Sequence, residues 1–110
     1  MHSLLLQHCK PLEGQPALKA AEVEGHLVHA PGWQRVGDSI ERSFSFTDYH
    51  HTMAFVNAVA WVAHAEDHHP DLQVSYSRCT VRFNTHSVAG ISINDFICAA
   101  KVDALLPAAP

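Results

Sequence analysis

The sequence predicts an α+β domain: a four-stranded antiparallel sheet with three helices packed on one face, in the order α-β-β-α-β-β-α. Three observations carry this reading. Residues 33–47 and 71–85 each alternate apolar and polar side chains around a turn signal, as paired strands do. Stretches with helical spacing precede, separate and follow them. At 110 residues with 47% hydrophobic content, the chain has the size of one domain around a single core.

Residues 1–15 hold Pro11 and Gly14 without a clear period and read as an irregular lead-in. The domain proper is expected over 16–106, with 107–110 as a frayed tail. From Pro16, "PALKAAEVEGHLVHA" sets Leu18, Ala21, Val23 and Leu27 near helical spacing, with proline well placed at the start. Pro31, Gly32 and Trp33 break that helix. Ile40, Phe44 and Phe46 then sit among polar neighbours, and Gly37-Asp38-Ser39 marks a hairpin turn.

Thr47 is the expected N-cap, with Asp48 in the first turn, of a long helix through "DYHHTMAFVNAVAWVAHAED". Tyr49, Met53, Val56, Ala60 and Ala63 form its apolar face, widened by Phe55, Val59 and Val62. Pro70 is expected to end this helix, because its ring pushes His69 toward an extended conformation. His68 and His69 are thereby left at a helix C-terminus. Val74 and Tyr76 alternate before a turn near Ser77-Arg78, and Val81 and Phe83 alternate after it. Beyond Gly90, Ser92 and Asp95 stand in capping-box spacing at the start of a last helix from about Ile93 to Leu105.

Charge and cysteine usage narrow the function. The net charge is -4, and the seven Lys and Arg residues are scattered, so a nucleic-acid partner is not indicated. No apolar run approaches the roughly 18–20 residues that span a bilayer, and the first residues lack a secretory pattern. A cytoplasmic protein without membrane association is expected. Cys9, Cys79 and Cys98 are odd in number and widely spaced, which indicates neither a disulfide framework nor a thiolate zinc site.

Four of the ten histidines, His64, His68, His69 and His86, fall within residues 64–86. His64 and His68 share a helix face, as two zinc ligands would, but the order "HAEDH" is not HExxH and no thiolate partners accompany it. His2, His8, His26, His29, His50 and His51 read as surface residues. Acid/base catalysis fits His68 and His69 better, since an imidazole with an ordinary pKa near 6.5 gives or takes a proton at neutral pH. No nucleophile elbow and no Gly-rich phosphate loop is present.

The combination of "DHHPDL", Tyr76, "RFNTH" and "AGISINDF" resembles the pterin-4a-carbinolamine dehydratase family, most strongly over residues 64–95. Fainter agreement runs back to the "PGW" at 31–33 and on into the last helix. The resemblance implies a hydro-lyase that converts 4a-hydroxytetrahydropterin to quinonoid dihydropterin and water. It would recycle the pterin of aromatic amino-acid hydroxylases, phenylalanine hydroxylase in particular, with no metal or resident cofactor.

Carried over by position, His68, His69 and His86 are the catalytic set, with His69 as donor to the leaving hydroxyl. Asp67, Asn84, Thr85 and Trp33 match substrate-binding positions, with Trp33 able to flank the flat ring. His64, Pro70 and Asp95 are supporting positions, and the capping box explains Asp95 without catalysis. His64 stands where many relatives carry Glu, a change that puts proton-transfer detail in question. A homo-oligomer, dimer or tetramer, is expected from the apolar surface of the long helix around Phe55, Val59, Val62 and Trp61. Two other readings stay open: a regulatory protein that binds a partner through that helix, as animal relatives bind a homeodomain transcription factor, and a histidine metal site.

Overall fold

The computed structural model describes residues 3–106. The expected tail at 107–110 and His2 lie outside these residues. Four helices and four strands follow in chain order: α1 (Ser3–Leu6), α2 (Ala20–Leu27), β1 (Gln34–Val36), β2 (Ser39–Ser45), α3 (Tyr49–Glu66), β3 (Asp71–Val74), β4 (Arg78–Phe83) and α4 (Ile93–Asp103). The strands form one antiparallel sheet in the order β1-β2-β4-β3. The α+β architecture expected from the sequence is therefore present, with the short α1 added within the lead-in.

Register explains which face is buried. Ile40 pairs with Phe83, Arg42 with Val81 and Phe44 with Cys79, so these side chains share one face of the sheet. That face meets α3 and α4 in a core that includes Trp33, Phe55, Val59, Phe96, Ala99 and Val102. The opposite face is polar: Ser43 and Thr80 hydroxyls lie 2.7 Å apart, and Arg82 reaches Glu41 at 2.6 Å. Val36 pairs with Ser39 across Gly37-Asp38, and Gly37 takes the left-handed backbone (φ 59°) that suits glycine at the first position of a two-residue hairpin loop.

Several local expectations shift by a few residues, each for a visible reason. The second helix begins at Ala20 rather than near Pro16, because the Leu18 N–H is held by the Ile91 carbonyl at 2.8 Å and Lys19 is extended. Asp48, not Thr47, caps α3, its carboxylate accepting the His51 N–H at 2.8 Å. The buried stripe of α3 is Thr52, Phe55, Val59, Ala63 and Glu66. Tyr49 and Ala60 of the expected face are exposed, and Phe55 and Val59 are core residues rather than spare surface. Trp61 is the large apolar side chain that α3 leaves 71% exposed near its C-terminal half. Tyr76 lies in the β3–β4 turn, not in a strand. No helix of the described residues is long and apolar enough to cross a membrane.

Candidate active site

The end of α3 is made by Asp67 and not by Pro70. Asp67 adopts the left-handed conformation (φ 50°), which aspartate tolerates better than most residues. The Asp67 N–H bonds the His64 carbonyl at 3.4 Å and the His68 N–H bonds the Ala63 carbonyl at 3.2 Å, the paired bonds of a Schellman motif. Helix geometry thus stops three residues before the proline, and the chain turns so that His68 and His69 follow directly into a cavity.

Two further elements close around them. At the end of β4, Thr85 and Gly90 pair as an isolated bridge, with the Thr85 N–H on the Gly90 carbonyl at 2.8 Å. Between them the chain makes a short 3₁₀ turn, His86–Val88, which presents His86. Ser92 then caps α4, its hydroxyl accepting the Asn94 N–H at 3.1 Å. Asp95 completes the capping box by accepting the Ser92 N–H at 2.9 Å.

Asp95 does more than cap. Its side chain has no solvent exposure, and one oxygen accepts from His68 Nε2 at 2.6 Å. The other oxygen takes both the Ser92 N–H and the Thr85 hydroxyl, the latter at 3.0 Å. Ser92 in turn donates to Thr85, their oxygens 2.5 Å apart. Because a carboxylate only accepts, the bond fixes Nε2 of His68 as the protonated nitrogen and leaves Nδ1 as the acceptor of the neutral ring. The imidazole is 12% exposed and stacks on Phe83, with centroids 5.8 Å apart and planes 8° from parallel. Packing and hydrogen bonding together hold one orientation.

A cavity of about 400 Å³ opens beside this ring, lined on one side by His68, His69 and His86, with Asp67, Asn84, Thr85 and Ser87. That volume lies within the roughly 300–1,000 Å³ of small-molecule sites. All three expected catalytic histidines therefore share one space, as do three of the four expected binding residues. Thr85, however, has its hydroxyl and both backbone polar groups already paired, so it supports Asp95.

Trp33 is the fourth, and it is elsewhere. It is a core residue between Phe44 and Phe83, and its indole N–H donates to the Asp103 carboxylate at 3.0 Å. An indole so enclosed cannot flank a ring in the cavity. Burial pushes the Asp103 carboxyl above its ordinary range, against the opposing pull of Trp33 and of Arg42 at 2.9 Å. Pro70 and His64 do not line the cavity either. His64 is exposed on α3 with its ring 5.7 Å from that of Trp61.

Residues that sequence reasoning passed over also line the cavity. Glu66 is the carboxylate that the end of α3 turns inward, with a side chain only 5% exposed. Burial raises its pKa, but the Cys9 N–H at 2.7 Å, the His8 ring at 2.9 Å and the Lys101 ammonium outweigh this and hold it below the usual range. Asn94 and residues 9–13 of the lead-in form the remaining wall. The Thr52-Phe55-Val59-Ala63-Glu66 spacing would have revealed Glu66; no pattern in the lead-in marks it. Among the described residues, no three His, Cys, Asp or Glu side chains converge in a way that could hold a metal ion.

The family model for pterin 4 alpha carbinolamine dehydratase matches residues 16–105. The chain belongs to this family. A pterin-4-alpha-carbinolamine dehydratase relative by name in Nitrosomonas eutropha is 57% identical over 100 residues, covering 89% of this chain and 88% of the relative. Another in Nitrosospira multiformis is 50% identical over 103 residues, or 93% of this chain and 91% of its own. A Brucella melitensis crystal structure, described as a transcriptional coactivator/pterin dehydratase, superposes with a TM-score of 0.78 at 34% identity, covering 81% of this chain and 97% of that one. A RuBisCO assembly factor of the alpha-carboxysome, described as pterin dehydratase-like, shares the fold at a TM-score of 0.60 and 24% identity over 70% of this chain and 92% of its own. Across the pterin-4a-carbinolamine dehydratase family match, the matched residues contain every histidine of the cavity.

Proposed function

We infer that this chain, a hydro-lyase of the pterin-4a-carbinolamine dehydratase family, dehydrates 4a-hydroxytetrahydropterin by passing protons between imidazoles of one cavity. The observation that carries this reading is the convergence of His68, His69 and His86 on that cavity, with His68 locked to a buried carboxylate at 2.6 Å. The reaction breaks the C4a–O bond and the N5–H bond and forms C4a=N5. One group must protonate the departing hydroxyl and another must accept the N5 proton.

His68 suits the acceptor role, since its Nε2–H is committed to Asp95 and its Nδ1 carries the lone pair. As its ring takes the N5 proton, the developing imidazolium is stabilised by the same carboxylate. His69, exposed on the cavity, serves as the protonated donor to the hydroxyl, which leaves as water. His86, carried on its own turn, positions the pterin. Solvent then returns the proton to His69 and removes it from His68. Each positioned acid or base contributes roughly 10²–10⁴ in rate. Breakdown of 4a-hydroxytetrahydropterin by His68→Ala, His69→Ala and His86→Ala tests the assignment, and a His69→Ala enzyme as fast as wild type would overturn the donor role.

The substrate's source is an aromatic amino-acid hydroxylase such as phenylalanine hydroxylase, working in the same cytoplasm. Self-association is part of the reading as well: Trp61 is 71% exposed on α3, and Val36 and Val74 lie exposed on the two edge strands. Sedimentation of wild type and Trp61→Glu distinguishes a dimer or tetramer from a monomer.

A further inference from the structure

Residues 9–13 lie outside the 16–105 match to the family model, yet they build one wall of the cavity. Their placement is specified at several points. The buried carboxylate of Glu66 receives the Cys9 N–H at 2.7 Å and the His8 ring at 2.9 Å. The Asn94 side chain grips the Lys10 backbone in both directions, donating to its carbonyl at 2.8 Å and accepting from its N–H at 3.3 Å. Cys9 Sγ sits 3.5 Å from Cys98 Sγ, and Leu12 is buried. Glu66 is two residues from His68, and Asn94 is next to Asp95. The segment is therefore fastened to the same two helix ends that fix the catalytic imidazole.

We propose that this strap is a substrate-binding wall, and that Lys10 and Glu13 hold the hydroxylated substituent at C6 of the pterin. The proposal rests on the dehydratase reading above. The chemistry places that substituent close to the imidazoles, because C6 is bonded to N5, the atom that gives up its proton. A group attached there must run along a wall of the cavity. On the wall formed by residues 84–87, the threonine is already fully paired within the protein. The strap instead offers an ammonium and a carboxylate, both exposed side chains at the cavity lining. Together they supply donors and an acceptor suited to neighbouring hydroxyls.

The test uses the full chain and two stable probes, 7,8-dihydropterins with either dihydroxypropyl or methyl at C6, titrated against wild type, Lys10→Ala and Glu13→Ala. Loss of a substrate hydrogen bond to a charged group should raise Kd for the dihydroxypropyl pterin by about tenfold or more in each variant. Binding of the methyl pterin should change less than twofold. Equal weakening for both probes, or none for either, overturns the strap's role in holding C6. If wild type itself fails to accelerate dehydration, it is the functional reading that falls, and the binding titration still decides the strap.

Discussion

Replacing Asp95 by asparagine separates the orientation of His68 from the stability of the fold. An amide can keep its oxygen toward the Ser92 N–H and Thr85 hydroxyl, 2.9 and 3.0 Å away in the native chain. Its NH₂ then faces His68 Nε2, where the native carboxylate oxygen accepted a bond of 2.6 Å. The imidazole must become an acceptor at Nε2 and carry its proton on Nδ1, the nitrogen needed as base. Hydrogen bonds to charged groups contribute about 1.5–3 kcal/mol and neutral ones about 0.5–1.5 kcal/mol. Loss of the charge alone therefore costs roughly 1–2 kcal/mol, a fall in Tm of roughly 5–15 °C for a domain of this size.

The rate should fall much further, by about 10²–10⁴, because the base is in the wrong tautomer. Alanine at this position is a poorer probe. It strands the partners on Thr85, Ser92 and His68 at about 1–3 kcal/mol each, comparable with a typical total stability of about 5–15 kcal/mol. The assay pairs dehydration kcat with ¹⁵N chemical shifts of the His68 ring in Asp95→Asn. A kcat within threefold of wild type, or a ring that keeps its proton on Nε2, refutes the positioning role.

Trp33→Phe should destabilise by about 1–2 kcal/mol through the lost bond to Asp103, with pterin KM unchanged; thermal melts and steady-state kinetics check both halves. His64→Glu should alter kcat and stability little, within about 0.5 kcal/mol, as expected for an exposed position outside the cavity. Glu66 has a folded-state pKa below its ordinary 4.5, so its contribution to stability is present above that value and is lost as pH falls through the lower folded value. Melting curves from pH 7 to pH 3 should show Glu66→Gln less stable than wild type at neutral pH, with the gap closing below about pH 4.5.

How much of this was legible depended on whether the signal was local. The capping box of Ser92 and Asp95, the Gly37-Asp38 turn and the long α3 are written in short-range pattern, and the structure contains all three. Helix ends were harder. The start of α2 is set by a bond from Leu18 to Ile91, more than seventy residues away, and the end of α3 by a left-handed aspartate that a nearby proline obscures.

The site divided along the same line. The three histidines were found by spacing and resemblance, whereas Asp95 looked like a cap because its second oxygen serves a residue from another element. Trp33 misled because an aromatic ring in an apolar core and one stacked on a ligand have the same sequence appearance. The lead-in showed no period because it is held by individual side chains, Glu66 and Asn94, and not by a repeating face.

The central claim is that imidazoles of one cavity carry the dehydration. Its most direct measurement is the rate of 4a-hydroxytetrahydropterin breakdown, above the spontaneous reaction, for wild type, His68→Ala, His69→Ala and His86→Ala. The account predicts strong acceleration by wild type and losses of about 10²–10⁴ for His68→Ala and His69→Ala, with His86→Ala raising KM more than it lowers kcat. Full activity in both His68→Ala and His69→Ala, each still folded, would contradict it.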